Sequence, residues 1–561
     1  MIVPMRHLDL ICVAAEREST LKGLRALGAV HLDLVGASGA EFAAVRGEIA
    51  DAEKAVRLIR KAKSVMSESP NEPRPRSVAE VLAIAADRET LKGEGDRLRA
   101  EIKTYEPYGD FDPELARRLL DRGIDLAAVA ELPAKLPPMR LGRLREKLAR
   151  VENRLGIDEA KLAGVDEAPI LRLHPGLRDR LEFAAAKEAM SERGAVAVVS
   201  GWVPESKVEA LRGEAASSGW GLLLRAPAEG ETPPTLIEPP RFFRPVKALF
   251  DGLGISPAYV EADVSVPFLG YFSLFFAMLV GDGAYGAIFL AGTLWGWRKY
   301  LALGERARAG AVLMRSWLVL LTIFSLATIG WGVLSNTWFG AGIPWCRGWP
   351  TVRWLADPSY GHMMLLCFTI GVSHLMLARV WNGVCKLNDS TALAEFGWAG
   401  VLLFMYFVTN SIVGIFSGIP TAMYWVFGVS LALVFGFTVK PSEFKTRGAE
   451  LGMLPLNVMS ALGDIISYVR LFAVGLASVK VAENFNSMAT GLVAGADEWW
   501  LKALLSVGMV LILVVGHALN LAMAGLSILV HAVRLNTLEF SNHKGISWSG
   551  YAFNPFKKTK E

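Results

Sequence analysis

The segment Leu454–Phe485 reads LPLNVMSALGDIISYVRLFAVGLASVKVAENF, and it decides how the rest of the chain is interpreted. It is apolar and long enough to cross the roughly 30 Å hydrocarbon core of a bilayer. Arg470 nevertheless lies near its middle. A charge at the bilayer centre costs about 2.5–3.5 kcal/mol on insertion scales, and an arginine keeps its charge when buried. We therefore expect Arg470 to meet a carboxylate, a carbonyl group or a water-filled cavity.

A second arginine, Arg534, lies in the last apolar segment. Residues spaced by 3, 4, 3, 4 and 3 positions place small or polar side chains on one helical face: His517, Asn520, Ala524, Ser527, His531 and Arg534. Small residues let helices approach closely in lipid, and an arginine near a helix end can extend to the headgroups. Close packing does not require His or Arg, however, so the two polar-faced helices together indicate an ion path.

An arginine beside an ion path has a specific effect on a mobile carboxylate. A carboxylate that moves through lipid is normally neutral, because it is protonated or loaded with an ion. An opposite charge within ~4–6 Å stabilises its ionised form. The carboxylate would release its ion at the arginine and reload from the other side, and the arginine would block direct leakage by charge repulsion.

Seven apolar runs follow residue 260 and predict an all-α membrane domain over 261–561. They lie at about Phe268–Trp297, Leu313–Leu334, His362–Val384, Trp398–Phe416, Thr421–Val439, Leu456–Phe485 and Trp499–Leu535. Gly281-Asp282-Gly283 interrupts the first run. The positive-inside rule assigns loops that are rich in Lys and Arg to the cytoplasm. With the first half of the chain also in the cytoplasm, these loops alternate correctly only if the first apolar run crosses the membrane twice. We therefore expect eight transmembrane helices, the last two long and polar-faced, with both termini cytoplasmic.

Composition predicts a different first half. Of the 561 residues, 52% are apolar, too many for an ordinary soluble protein, and 20% are charged, too many for a purely integral one. Most charged residues precede about residue 260, so we expect a cytoplasmic domain over 1–260. The net charge of +4 is too small for this length to indicate a nucleic-acid binder. The four cysteines show neither disulfide nor metal-ligand spacing, and no bound metal or cofactor is implied.

The first half is predicted to be α+β. Strands are expected at His7–Val13 and Val196–Trp202, each followed by a helix and a further strand, which gives two small α/β modules near 1–36 and 194–226. Between them, residues at heptad spacing predict a coiled-coil seam: Phe42, Val45, Ile49, Ala52, Val56 and Ile59. The Pro-rich stretch Pro70–Pro75 should end that helix, and further charged helices are expected near Val78–Tyr105, Leu141–Leu155 and Arg178–Arg193. This stalk-like arm needs a partner for its seam, within the chain or from another subunit.

Catalytic motifs are missing from the first half of the sequence. It contains no phosphate-binding loop, dinucleotide fingerprint or zinc-peptidase motif. If the protein serves an ATPase, another subunit therefore binds the ATP. Met1–Leu10 also lacks the charged and apolar regions of a signal peptide, so we expect this half to stay in the cytoplasm, most simply at a prokaryotic plasma membrane.

The two arginine segments resemble those of subunit I (subunit a) of V-type and A-type rotary ATPases, and the resemblance runs essentially end to end. Ser467–Ala473 (SYVRLFA) is similar to the family's S-Y-x-R-L segment. His531–Leu535 (HAVRL), followed by Glu539-Phe540, is similar to its second arginine segment. Two further similarities are weaker. The family's first membrane signature resembles Phe276, Gly281-Asp282 and Tyr285-Gly286, and a turn in its second soluble module resembles Gly201–Pro204.

The resemblance implies a membrane stator that couples H⁺ or Na⁺ movement to ATP hydrolysis or synthesis and has no catalytic site of its own. It implies as partners the carboxylate-bearing proteolipid subunits of a rotor ring, peripheral-stalk coiled-coil subunits, a central-stalk or ring-capping subunit, and the lipid membrane. Arg470 and Arg534 would face the ring carboxylates, between two half-channels. Eukaryotic-type relatives have Glu ten positions before the second arginine, where this chain has Ala524. The candidates for lining the half-channels are therefore chosen from this chain: Asp464, Ser467, Glu483, His517, Asn520, Ser527 and His531.

Two other interpretations stay open. A secondary transporter working alone would need a substrate site, often with internal repeats and broken helices. The sequence shows no convincing repeat, although the break at Gly281 favours this interpretation slightly. A purely structural membrane anchor would gain nothing from Arg470. For Asp464 and Glu483, solvation at a helix end or local pairing is an alternative to a role in an ion path.

Overall fold

The computed structural model describes residues 2–34, 39–65, 77–110, 112–124, 139–355, 359–440, 448–495 and 498–558. The chain forms two compact units. The sheet unit comprises residues 6–225 together with the C-terminal segment from Pro555, and the membrane unit comprises residues 1–5 and 226–554. Each unit is described by itself below.

The sheet unit contains one five-stranded sheet. Its strands are β1 (Met5–Val13), β2 (His31–Leu32), β3 (Ser191–Arg193), β4 (Val196–Pro204) and β5 (Gly221–Arg225). The order is β2-β4-β1-β5, with β3 paired to β4. β1 and β5 are antiparallel with His7 opposite Arg225, and β2 and β3 are each antiparallel to β4. The strands of the two predicted modules therefore share a single sheet.

One boundary predicted for this unit was wrong. The helix expected to run from Arg178 to Arg193 ends at Ala189, and Ser191–Arg193 forms strand β3 instead. Gly194 has a φ of 66°, a conformation that glycine adopts without strain, and it turns the chain so that β3 pairs with the start of β4. The helix expected over Leu141–Leu155 continues to Ala163.

Seven α-helices accompany the sheet in the described part of this unit: α1 (Arg17–Leu27), α2 (Ala40–Val65), α3 (Val78–Tyr105), α4 (Pro113–Leu120), α5 (Leu141–Ala163), α6 (Ala168–Ala189) and α7 (Val208–Ser218). The predicted seam of α2 is largely covered, because Ala52, Val56 and Ile59 lie in one apolar cluster with Leu162 of α5 and Ile170 of α6. The seam thus has partners within the chain. The predicted break at Pro70–Pro75 lies outside the described residues.

The core of the sheet unit includes a residue from the far end of the chain. Phe556 is 1% exposed and belongs to the same apolar cluster as Leu8 and Leu21. Its backbone N–H donates to the carbonyl of Val30 at 2.7 Å, and its ring stacks on Phe183 with 6.3 Å between centroids. The C-terminal segment is therefore part of this unit's core.

The membrane unit is helical. Its helices are α8 (Val246–Leu253), α9 (Ser265–Val280), α10 (Gly283–Ala302), α11 (Glu305–Gly310), α12 (Val312–Ser335), α13 (Pro350–Leu355), α14 (Gly361–Cys385), α15 (Thr391–Ile412), α16 (Thr421–Phe437), α17 (Ala449–Gly452), α18 (Leu454–Ile466), α19 (Val469–Ala494), α20 (Trp499–Ser527) and α21 (Ser541–Lys544). Two π-helical turns, Ile528–Ala532 and Leu535–Phe540, lie between α20 and α21.

Five of the described stretches are long and apolar enough to cross a membrane: α12, α14, α15, Leu454–Ala494 and Trp499–Lys544. α16 is a shorter apolar helix, and α9 and α10 form a pair bent by 119°. These elements correspond to the seven predicted apolar runs, with the first one broken. The number of eight crossings stays a prediction.

The break between α9 and α10 is specified by Gly281 and Asp282. Gly281 ends α9 with a φ of 70°. Asp282 begins α10, where its Oδ1 accepts the backbone N–H of Ala284 at 2.8 Å. Its Oδ2 accepts the N–H of Gly340, also at 2.8 Å, although the residue is only 1% exposed. One buried carboxylate thus caps a helix and holds a neighbouring loop.

We expect Asp282→Ala to destabilise the membrane unit by about 1–3 kcal/mol, because it removes a helix cap and leaves the N–H groups of Ala284 and Gly340 without their carboxylate acceptor. The measurement is the midpoint of thermal unfolding of the purified protein in detergent. Asp251→Ala, which changes an exposed aspartate on α8, is the matched control. Equal midpoints for the two variants would show that Asp282 does not stabilise the break.

Candidate ion-path site

Arg470 lies in the first turn of α19, directly after a break between two helices. α18 ends at Ile466, and Arg470 Nε donates to the carbonyl of Ser467 at 3.1 Å. Carbonyl groups at the end of a helix lack partners within it, so the break provides an acceptor in the middle of an apolar segment. The side chain of Arg470 is 22% exposed.

Tyr468 holds this break in position. It is fully buried, and its hydroxyl lies 2.9 Å from Nδ1 of His374 on α14. The His374 ring stacks on Tyr271 and on Phe540, with 4.0 and 4.4 Å between ring centroids. A Cβ atom on Gly371 would lie only 2.6 Å from Cγ of Tyr468, so the glycine allows the ring to pack against α14.

The two membrane arginines converge on one carboxylate. Arg470 Nη2 donates to Oε1 of Glu539 at 2.9 Å, and Arg534 Nε lies 3.3 Å from the same oxygen. Glu539 is buried with its side chain 4% exposed, whereas the side chain of Arg534 is 52% exposed. A buried charge needs a partner of opposite sign. The site therefore consists of two cations that share one buried anion and remain partly open to the surface.

A polar cavity of about 460 Å³ lies beside α18, on the N-terminal side of Arg470. Its lining residues are Arg379, Trp398, Thr438, Met453, Leu454, Asn457, Ser460, Asp464, Asn542 and His543. Arg379 Nε donates to Nδ1 of His543 at 3.1 Å, so Nε2 of this imidazole carries the proton and donates to Asp464 Oδ2 at 3.0 Å. Arg379 also donates to Glu395, at 3.1 Å. These polar groups form one continuous network at this end of the span.

A second cavity, of about 200 Å³, lies beside α19 on the C-terminal side of Arg470. It begins at Leu471 and Phe472 and reaches an ion pair in which Lys480 Nζ is 2.7 Å from Oε2 of Glu483. The two cavities thus lie before and after Arg470 along one membrane-crossing stretch.

A hydrogen-bonded cluster connects α10, α19 and α20. The hydroxyl of Tyr285 lies 2.7 Å from Nδ1 of His517 and accepts Nδ2 of Asn520 at 3.0 Å. Asn520 Oδ1 accepts the hydroxyl of Ser478 at 3.1 Å, and Nε2 of His517 lies 3.2 Å from Oδ1 of Asn486. The five side chains are therefore linked by hydrogen bonds, and the three buried ones, Tyr285, Ser478 and Asn520, have the partners that a buried polar group needs.

Comparison with known proteins finds several relatives of the chain, although no protein-family model matches it. The chain is 28% identical to V-type ATP synthase subunit I 1 of Treponema pallidum, over an alignment of 639 positions that covers all of both chains. It is 33% identical to V-type ATP synthase subunit I of Borreliella burgdorferi over 379 positions, 65% of this chain and 60% of that one. It is 24% identical to A-type ATP synthase subunit I of Methanocaldococcus jannaschii over 399 positions, 65% of this chain and 55% of that one.

The chain is a homologue of V-type and A-type ATP synthase subunit I. The relatives take their name from a membrane subunit of a rotary ATPase, and the apolar helices of this chain fit that setting. Within the described residues, no group of three or more His, Cys, Asp and Glu side chains is arranged to hold a metal ion.

The residues predicted to line the half-channels fall into different places. Ser467 contacts Arg470, Asp464 lines the larger cavity, and Glu483 lines the smaller one. His517 and Asn520 belong to the Tyr285 cluster rather than to either cavity. Ser527 and His531 are half-buried on the helical stretch that leads to Arg534. Nδ1 of His531 is buried without a hydrogen-bond partner among the described residues.

Four residues of the site were missed as candidates. They are Glu539, Tyr285, Arg379 and His543. Glu539 and Tyr285 appear in the motif segments that resemble subunit I, but nothing in their local pattern identifies a partner. Arg379 was not singled out, because sequence periodicity does not reveal that it pairs with Glu395 on the neighbouring helix α15 and contacts His543, 164 positions away.

Proposed function

We propose that this protein is the membrane stator of a rotary V/A-type ATPase, in which Arg470 and Arg534 force ion release from carboxylates of a rotor ring. The observation that carries the proposal is the pair of arginines on one buried carboxylate, between two cavities at opposite ends of the same span. Ions moving through the two cavities would meet a ring carboxylate only at the arginines. Transmembrane movement of H⁺ or Na⁺ would thereby be coupled to ATP hydrolysis or synthesis in other subunits.

The surface next to Arg534 supports a contact with the ring. Leu526 and Val530 lie eight and four positions before Arg534 on the same helical stretch. They are 64% and 50% exposed, and together with Leu511 and Leu504 of α20, both 64% exposed, they form an exposed apolar face that leads to Arg534. Such a continuous apolar face with one half-exposed arginine at its end suits helices that carry neutral carboxylates past it in lipid.

The position of Phe556 supports an even number of membrane crossings. Phe556 lies in the core of the unit that contains residues 6–225, so both must be on the same side of the membrane. The chain between Ala226 and Asn554 would therefore cross an even number of times. The bent pair α9–α10 would then enter and leave on one side, which agrees with eight crossings and with both termini in the cytoplasm.

The partners of such a stator would be other subunits of the complex. Carboxylate-bearing proteolipid subunits would pass Arg470 and Arg534, and the charged helices of the sheet unit would bind peripheral-stalk coiled-coil subunits. A central-stalk or ring-capping subunit would complete the assembly. The chain would then be a multi-pass protein of a prokaryotic plasma membrane, with Asp464 in the cytoplasmic half-channel and Glu483 in the opposite one.

We expect a photo-reactive amino acid at Leu526 to cross-link to the small ring subunit in membranes of cells that produce the complex. The physical reason is the exposed face that Leu526 shares with Arg534. Trp425 on α16 is 77% exposed and outside that face, and it provides the matched position. Mass spectrometry of the products identifies the partner, and copurification of nucleotide-binding subunits checks assembly. Equal yields of the ring product from both positions would reject the proposed interface, and the absence of ATPase subunits would favour a transporter working alone.

A further inference from the structure

Glu539 reaches Arg534 only because the helix between them is irregular. In an α-helix with 3.6 residues per turn, side chains five positions apart point about 140° away from each other. In a π-helical turn the backbone bonds join residues five apart, so these side chains lie close to one face. Arg534 and Glu539 are five positions apart, and the turn Leu535–Phe540 is π-helical. The turn therefore brings the carboxylate to the side of the arginine.

The π-helical turn is fixed by its buried residues. Phe540 is 1% exposed and stacks on His374. Asn536 is fully buried, and its Nδ2 donates to the carbonyl of Ala532 at 2.9 Å. Because Asn536 and Phe540 are both fixed by these contacts, the backbone of Glu539 between them has little freedom to turn its carboxylate away from the arginines.

The Glu539 carboxylate uses only part of its bonding capacity. Oε1 accepts one bond from Arg470, and Oε2 is buried without a hydrogen-bond partner among the described residues. A guanidinium and a carboxylate can form two parallel bonds, which is the stronger arrangement. Arg470 instead gives one N–H to Glu539 and another to the carbonyl of Ser467. A second carboxylate could replace this single bond to Glu539 without first breaking a bidentate pair.

We propose that Glu539 is a positioning residue that holds Arg470 between rotor steps and yields it to each arriving ring carboxylate. The proposal rests on the stator function proposed above. With Glu539 alone the site carries one net positive charge, and with a ring carboxylate present it is neutral. In neither state is an arginine left unpaired in the membrane, where an uncompensated charge is costly. Without Glu539 the empty site would carry two positive charges and would hold the ring carboxylate longer.

The experiment uses the assembled complex in vesicles and measures ATP hydrolysis and ATP-driven ion uptake together. Glu539→Gln nearly keeps the shape of the side chain but removes its charge, so we expect both rates to fall about ten-fold with the number of ions moved per ATP unchanged. Glu539→Asp should recover most of the rate. The double variant Glu539→Gln/Arg534→Gln should recover part of it, because it restores one net positive charge. Glu498→Gln, which changes an exposed carboxylate just before α20, should leave both rates unchanged.

The outcomes separate this proposal from the stator function. Unchanged rates in Glu539→Gln, together with loss of uptake in Arg470→Ala, would overturn the proposed exchange of Arg470 between Glu539 and the ring carboxylate. They would leave the stator function standing. Hydrolysis that continues while uptake is lost would also overturn it, because a purely structural defect uncouples the two rates. If the Glu539→Gln complex does not assemble, the double variant Glu539→Gln/Arg534→Gln is tested in its place. Failure of the double variant to recover either assembly or the rates of hydrolysis and uptake would count against the proposed exchange. Unchanged uptake in Arg470→Ala would remove the stator function itself.

Discussion

Replacing Arg470 with alanine is expected to abolish ATP-driven ion uptake in vesicles that carry the assembled complex. Arg470 donates to Glu539 and to the Ser467 carbonyl, and it lies between the two cavities. Without the charge of Arg470, a ring carboxylate would keep its ion as it passes the site. A hydrogen bond to a charged group contributes about 1.5–3 kcal/mol, so loss of one such bond alone would slow uptake by about ten-fold or more, and loss of the charge as well should abolish it.

The control for Arg470→Ala is Lys502→Ala. It removes one positive charge from the exposed start of α20, and we expect it to leave uptake unchanged. Equal assembly of both variants is checked by copurification before uptake is compared. A passive ion leak in Arg470→Ala would show that the arginine separates the two half-channels. Normal uptake would make Arg470 a structural residue and would favour the anchor interpretation.

Phe556→Ala is expected to lower the free energy of unfolding of the sheet unit by about 3–5 kcal/mol, the usual cost of removing a buried phenyl ring. Phe556 packs in the same apolar cluster as Leu8 and Leu21. The guanidinium carbon of Arg25 also lies over the Phe556 ring, 5.7 Å from the centroid of that ring. The measurement is the urea dependence of protease cleavage within residues 6–225 of the complete, detergent-purified protein.

Phe242→Ala is the matched control, since it removes the same side chain from a position that is 76% exposed. It should leave the cleavage curve within experimental error of the wild type. If Phe556→Ala gave the same curve as this control, the C-terminal segment would not be a stabilising part of the core. An even number of membrane crossings would then have no support from the position of Phe556.

The arginines could be predicted because a charge inside an apolar run is visible in the sequence. Their shared partner could not. Under the regular spacing of an α-helix, Glu539 belongs to a different face from Arg534, and the π-helical turn that joins them is set by packing around Phe540. The Tyr285–His517 bond was equally hidden, since it joins residues 232 positions apart.

The fold shows the same division between local and distant information. The helix Val78–Tyr105 and the strand up to Val13 follow from periodicity, and the structure has them. The single sheet does not follow, because β2 and β4 pair across a helical insertion of more than a hundred residues that periodicity cannot bridge. Likewise, β3 was assigned to a helix because three residues are too few to show an alternating pattern.

The burial of Phe556 also bears on how the protein is made. A ribosome releases residues 6–225 long before it reaches residue 556, and residues 226–554 of the membrane unit are synthesised in between. During that interval the sheet unit lacks one of its largest core side chains, and the apolar site beneath Arg25 and Phe183 stays open. Completion of this core must therefore wait until the last helices of the membrane unit have been made, so that final folding of the sheet unit reports on completed synthesis of the membrane unit.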